Sequence, residues 1–165
     1  MAAQHLAFAL LLIVLTVGIH GAGTLVIFGA VFRSRMFAMR HFGHINNASL
    51  LTSVVVALLA IHLAEVVLWA ASYFYLGCFP NFDTSMYFSI GTYTTVGYGD
   101  VVILDQGWRL LGGVEALIGS LMLCWSTGIL VHVVTKVYRQ HIEVWEREEE
   151  VARGRMNRPD HRYRL

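Results

Sequence analysis

The residues in this 165-residue chain best suited to specific chemistry form the run Thr95-Val96-Gly97-Tyr98-Gly99, followed by Asp100. Gly97 and Gly99 lack a Cβ and take positive φ without steric cost. Alternating backbone signs can therefore turn successive carbonyls toward one axis. Such a row of oxygens suits a dehydrated monovalent cation. One chain cannot close a ring of oxygens, but four copies around a fourfold axis can, and the Thr95 hydroxyl can add a further ring at one end.

A second group is titratable. His62 and Glu65 stand three residues apart on one helical face, and Glu115 lies in a later apolar stretch. At roughly 1.5 Å of rise per residue, Glu65 lies about 10 Å from the outer end of its span, His62 about 15 Å and Glu115 about 12 Å. The three are expected to share a layer and to satisfy one another; pH sensing through His62 and proton transport are the functional alternatives. His20 and His132 are expected to be satisfied by backbone or water.

Elements that could hold these residues follow from the apolar pattern. The chain is 56% hydrophobic and only 14% charged, and its mean hydropathy is +0.59, against roughly 25% charged residues in soluble chains. This excludes a disordered chain, a nucleic-acid-binding basic domain and a disulfide scaffold. Three stretches, Leu6–Phe32, Ala48–Leu76 and Trp108–Val137, each exceed the roughly 20 apolar residues that cross a hydrocarbon core. A signal peptide is the alternative for the first, but no basic segment precedes it. Between the second and third, Asp83, Thr84 and Ser85 are candidate N-caps for a short helix through Met86, Tyr87, Phe88 and Ile90. That helix is too short to cross, so it must enter and return. Irregular backbone at membrane depth is tolerated only where protein buries it or a water-filled cavity borders it, so the run 95–99 needs a partner for its carbonyls.

Orientation is set by Lys and Arg, which stay preferentially on the cytoplasmic side. Of the twelve, Arg33, Arg35 and Arg40 follow the first span and eight follow the third, from Lys136 to Arg164, leaving Arg109. A multi-pass cell-membrane protein is expected, with the N-terminus and the segment 77–106 outside and the C-terminus cytoplasmic. Trp69, Tyr73, Phe74, Tyr75 and Trp108 would lie at the outer interface.

The motif T-T-V-G-Y-G-D, preceded by a capped short apolar helix and flanked by two spans, resembles the pore domain of potassium channels over roughly Leu50–Val137. The whole layout is similar to small three-span prokaryotic ion-channel proteins. The resemblance implies a potassium filter at Thr95, Val96, Gly97, Tyr98 and Gly99, an outer-mouth acid at Asp100, an aromatic cuff of Tyr87 and Phe88 behind Tyr98, and a hinge glycine at Gly119. Two features depart from relatives. Gly91 stands where some prokaryotic members carry a glutamate behind the filter, and no span has the regularly spaced arginines of a voltage sensor.

The expected architecture is an all-α membrane protein: three transmembrane helices plus a re-entrant pore helix and selectivity filter, assembled as a tetrameric pore. Residues 1–47 hold an extra helix and a basic loop, 48–137 the pore domain, and 138–165 a charged helix and tail. That last helix could form a short bundle or a solvated surface helix. Ser120, Leu123, Thr127 and Val131 follow helical spacing and are expected to line the inner cavity, with packing inside a helix interface as the alternative for the two hydroxyls. Gly119 could equally serve close packing, as could Gly112 and Gly113. Gly18, Gly21, Gly23 and Gly29 are expected to pack the first span peripherally against the second. Cys78 and Cys124 are not expected to pair. The expected function is passive potassium conduction by a homotetramer in the bilayer, with no enzymatic activity, no cofactor beyond K+ as permeant ion and no nucleic-acid partner. A less selective cation pore of the same fold, or a proton-coupled membrane protein using His62, Glu65 and Glu115, are the other readings.

Overall fold

The computed structural model describes residues 2–41 and 47–156. These form α1 (Ala2–His41), α2 (Asn47–Tyr75), α3 (Phe82–Tyr93) and α4 (Arg109–Met156). Three of them contain stretches long and apolar enough to cross a membrane: Gln4–Ala30, Ala48–Tyr75 and Arg109–Arg139. The three expected spans are therefore present. The basic segment after the first span is not a loop as far as it is described, because α1 continues through Arg33, Arg35 and Arg40 to His41. Residues 32–41 contain no Gly or Pro to stop a helix and are rich in Arg, Met and Ala, which favour one. Likewise α4 continues through Gly154 to Met156; the basic tail expected beyond it lies outside the described residues.

The chain divides into two compact units, residues 1–128 and 129–165. In the second, Ile129, Val133 and Val137 are buried, and the exposed pair Arg153–Glu149 closes at 3.0 Å with the expected i, i+4 spacing. The side chains of His141, Glu143, Val144 and Val151 lie outside those described.

In the first unit, α2 ends in a complete Schellman arrangement. Gly77 adopts φ +70, Cys78 N–H donates to the Tyr73 carbonyl and Gly77 N–H to that of Phe74, both at 3.0 Å. Glycine at this position ends the helix without a Cβ clash. Helix α3 starts earlier than expected, its cap lying two residues before the first candidate. Asn81 is extended, and its side-chain oxygen accepts from both Thr84 N–H and Thr84 Oγ1 at 2.8 Å. Asp83, expected as a cap, instead sits in the first turn, where a carboxylate favours the positive helix end.

The core joins all four helices: Leu12 from α1, Val66, Trp69 and Tyr73 from α2, Tyr93 from α3, and Leu111, Ile118 and Met122 from α4. Polar bonds accompany it, since the Trp69 indole N–H donates to Thr16 Oγ1 at 3.0 Å. Only Gly23 of the α1 glycines makes a close approach. A Cβ there would come within 2.5 Å of Ile61 Cδ1, whereas Gly18, Gly21 and Gly29 have nothing within 4 Å. Gly23→Leu should therefore destabilise the folded chain by about 1–3 kcal/mol through overpacking, read as a lowered thermal midpoint in detergent. Gly21→Leu should leave that midpoint unchanged.

Candidate functional site

The segment after α3 folds back on the helix through its amides. Thr94 N–H bonds the Ile90 carbonyl at 3.1 Å, Thr95 N–H that of Thr92 at 2.9 Å and Gly97 N–H that of Gly91 at 3.0 Å. Among the described residues, no donor reaches the carbonyls of Thr95 through Gly99. The positive-φ positions alternate: Thr95 at 61°, Gly97 at 55° and Gly99 at 79°. For a β-branched residue this region is a genuine outlier, so the conformation at Thr95 is imposed by the surrounding structure. Val96 and Tyr98 are exposed in the single chain, at 55% and 73%.

Tyr98 stacks on Tyr87, with ring centroids 6.2 Å apart and planes at 14°. The Tyr87 hydroxyl donates to Asp100 Oδ2 at 2.9 Å, and that bond raises the phenol pKa above its ordinary value. Of the expected cuff, Tyr87 lies against Tyr98 and holds Asp100. Phe88 has its ring contacts elsewhere, with Tyr73 at 5.1 Å and Phe79 at 4.9 Å. A Cβ on Gly91 would meet only Tyr98 Cδ2, at 3.9 Å.

The expected layer of His62, Glu65 and Glu115 divides into two clusters, each joining α2, α3 and α4. Glu115 does not meet His62. It is fully buried and accepts from the Tyr73 hydroxyl at 2.7 Å and from the Ser89 hydroxyl. Glu65, also fully buried, accepts from the Tyr93 hydroxyl; its Oε2 lies 3.2 Å from His62 Nδ1 and its Oε1 3.0 Å from His20 Nδ1. His62 Nε2 lies 2.8 Å from Ser126 Oγ. His20, assigned to backbone or water on sequence grounds, is therefore a partner of a buried carboxylate.

Sequence reasoning missed Tyr73, Ser89, Tyr93 and Ser126 for the same reason. A carboxylate in an apolar interior needs several donors, and the only available signal was that His62 alone cannot supply them. His20 carried a clearer one, as an ionisable residue within another span.

On α4, a Cβ built on Gly119 would overlap the Tyr93 carbonyl, and one on Gly112 would come within 3.3 Å of Phe88. Gly119 thus lets α4 touch the end of α3, just before Thr94. The hydroxyls of Ser120 and Thr127 bond their own helix, to the carbonyls of Leu117 at 2.8 Å and Leu123 at 2.9 Å. Leu123 packs against the core, and Val131 is exposed. Cys78 and Cys124 are both free.

Comparison with known proteins locates the likeness in this region. Residues 61–136, just under half of the chain, match the family described as ion channel. A potassium voltage-gated channel protein, shk-1 of Caenorhabditis elegans, is 40% identical over 62 residues, which cover 38% of this chain and 12% of that protein. The chain therefore spans about an eighth of the curated relative it matches. No solved structure matches. The potassium-channel-like likeness read from the sequence is supported over the stretch from α2 through α4.

Because the Tyr93 carbonyl is backbone and cannot swing aside, Gly119→Ala should cost about 3 kcal/mol, the upper end for overpacking, and lower the thermal midpoint. Gly113→Ala, with nothing within 4 Å of its Cβ, should not. A hinge glycine without a packing role would instead leave the Gly119→Ala midpoint near that of the unsubstituted chain.

Proposed function

We propose that the chain is the subunit of a homotetrameric potassium channel, with Thr95, Val96, Gly97, Tyr98 and Gly99 as filter and the N-terminus outside. The observation that carries this reading is the alternation of positive φ at Thr95, Gly97 and Gly99 beside carbonyls that no donor among the described residues reaches. Carbonyls aligned in this way replace the hydration shell of a monovalent cation when four chains supply them around one axis, and repulsion between ions at successive sites aids exit. The exposure of Val96 and Tyr98 in one chain supports a partner surface there.

The other assignments follow from this axis. Helix α3 directs the partial negative charge of its C-terminal end toward the start of the filter. Asp100, held by Tyr87, places a carboxylate beyond Gly99. Ser120, Leu123, Thr127 and Val131 line the inner cavity, the two hydroxyls being satisfied within α4 and so adding no unpaired donor. The basic residues at the C-terminal end of α1 and from Lys136 onward along α4 support a cytoplasmic position for those ends.

Gly97→Ala should abolish potassium flux in proteoliposomes while leaving insertion and assembly intact, because a Cβ opposes positive φ and turns a carbonyl off the axis. Thr95→Ala should retain flux and weaken barium block. Wild-type flux from an assembled Gly97→Ala tetramer refutes the filter assignment. Reversal potentials in mixed potassium and sodium separate this reading from a less selective cation pore. Flux that needs a pH gradient and survives filter substitution would instead favour proton coupling through His62, Glu65 and Glu115.

A further inference from the structure

We infer that His20, His62 and Glu65 form a binding site for one divalent transition-metal ion of the zinc class, with the Tyr93 phenol oxygen as fourth ligand. The inference concerns a cluster outside the filter and does not rest on the potassium reading.

The ligand atoms are already gathered. One nitrogen from each imidazole and a carboxylate oxygen all lie within 4.8 Å of one another. His20 Nδ1 is 3.0 Å from Glu65 Oε1 and His62 Nδ1 is 3.2 Å from the other oxygen, Oε2, so a tetrahedral site that takes one of the two draws the second imidazole in from no more than 4.8 Å. A tetrahedral zinc ion with bonds of about 2.0–2.1 Å holds its ligand atoms about 3.3–3.4 Å apart, and two histidines with one glutamate are an established zinc set. The Tyr93 oxygen lies 3.0 Å from His62 Nδ1 on the same side of the ring. Tyr93 is also the last residue of α3, where the negative end of the helix favours a cation.

The far sides of the rings point the same way. Both Nε2 atoms converge on one hydroxyl, Ser126 Oγ, at 2.8 Å from His62 and 3.4 Å from His20. A metal-bound imidazole donates its remaining N–H to an oxygen that fixes its orientation, and a serine oxygen has two lone pairs to accept from both rings.

A hydrogen count leaves room in the cluster for one cation. Glu65, His20, Ser126, His62 and Tyr93 form a closed ring of five contacts, with a sixth across it from His62 Nδ1 to Glu65 Oε2; the longest, His20 to Ser126 at 3.4 Å, is the weakest. A carboxylate, two neutral imidazoles, one serine hydroxyl and one phenol supply four hydrogens. Whichever tautomers are chosen, one contact sets lone pair against lone pair. A metal ion on the Nδ1 side closes the count: both Nδ1 lone pairs and the carboxylate bind it, and both Nε2–H groups donate to Ser126. A single extra proton closes the same ring, and the experiment separates the two.

The full chain, purified in detergent and stripped with a chelator, is titrated with ZnCl2 alone and read by metal-to-chain ratio and thermal midpoint. One tight equivalent per chain that raises the midpoint is expected, with affinity falling as pH falls because protons compete for the imidazoles. His20→Gln, His62→Gln and Glu65→Gln should remove it, and Ser126→Ala should weaken it by about tenfold or more. A chain carrying His5→Gln and His132→Gln should keep it. Co2+ substituted into the unaltered chain should give the visible absorption of a tetrahedral site, which decides the matter even if the cluster variants fail to fold. Absence of a tight equivalent, an octahedral cobalt spectrum, or binding unchanged in folded His20→Gln would overturn the proposal and leave the ring closed by a proton.

Discussion

Backbone carbonyls without amide partners, set beside helices able to cross a membrane, are the constraint to which the unit of residues 1–128 is fitted. An unsatisfied polar group in hydrocarbon costs several kcal/mol, so a run such as Thr95–Gly99 is stable only if a ligand or water meets its oxygens. The amides of Thr94, Thr95 and Gly97 turn back onto α3, which leaves the oxygens as the free side. A threonine in the left-handed region costs on the order of 1–2 kcal/mol, and that strain has to be held in place from α3.

Helix α3 is held accordingly. Its ends are fixed by the Asn81 cap and by Gly119 against the Tyr93 carbonyl. Its flanks are fixed by two buried carboxylates, Glu115 through Ser89 and Glu65 through Tyr93. Each acid also bonds α2 or α1, so a displacement of α3 breaks charge-assisted bonds in more than one direction. In a membrane, helices gain no hydrophobic drive to associate with one another, and interhelical polar bonds and small-residue contacts carry more of the specificity. The placement of Glu65, Glu115, Gly23 and Gly119 at contacts between helices follows that rule.

The three apolar spans, the short helix between the second and third, and the glycine pattern of 95–99 were legible because each rests on local sequence: apolar length, a breaker, a missing Cβ. The α3 cap was placed at least two residues late because Asn81, Asp83, Thr84 and Ser85 are all good caps, and only the bonds to Thr84 distinguish them. The basic loop was misread because charge marks a membrane boundary and not a helix end; nothing between Phe32 and His41 stops hydrogen bonding. The carboxylate partners were the least legible. Depth along a span orders residues in one dimension, and it placed His62, Glu65 and Glu115 together. Azimuth decides contact, and it sends Glu115 to Tyr73 and Ser89 while His62 and Glu65 turn to His20.

That last difference changes what α1 is for. The likeness to ion channels covers residues 61–136 and so includes Glu65, His62, Tyr93 and Ser126 but not His20. Within that stretch Tyr93 and His62 both approach Oε2 of Glu65, and the group at Oε1 is His20 of α1. A buried carboxylate oxygen left without a donor costs more than the bond it loses, because its desolvation is then uncompensated. Helix α1 is thus not interchangeable with any apolar span that could cover α2. It completes a polar cluster whose other members lie on the three remaining helices, and the residue that ends α3 belongs to that cluster.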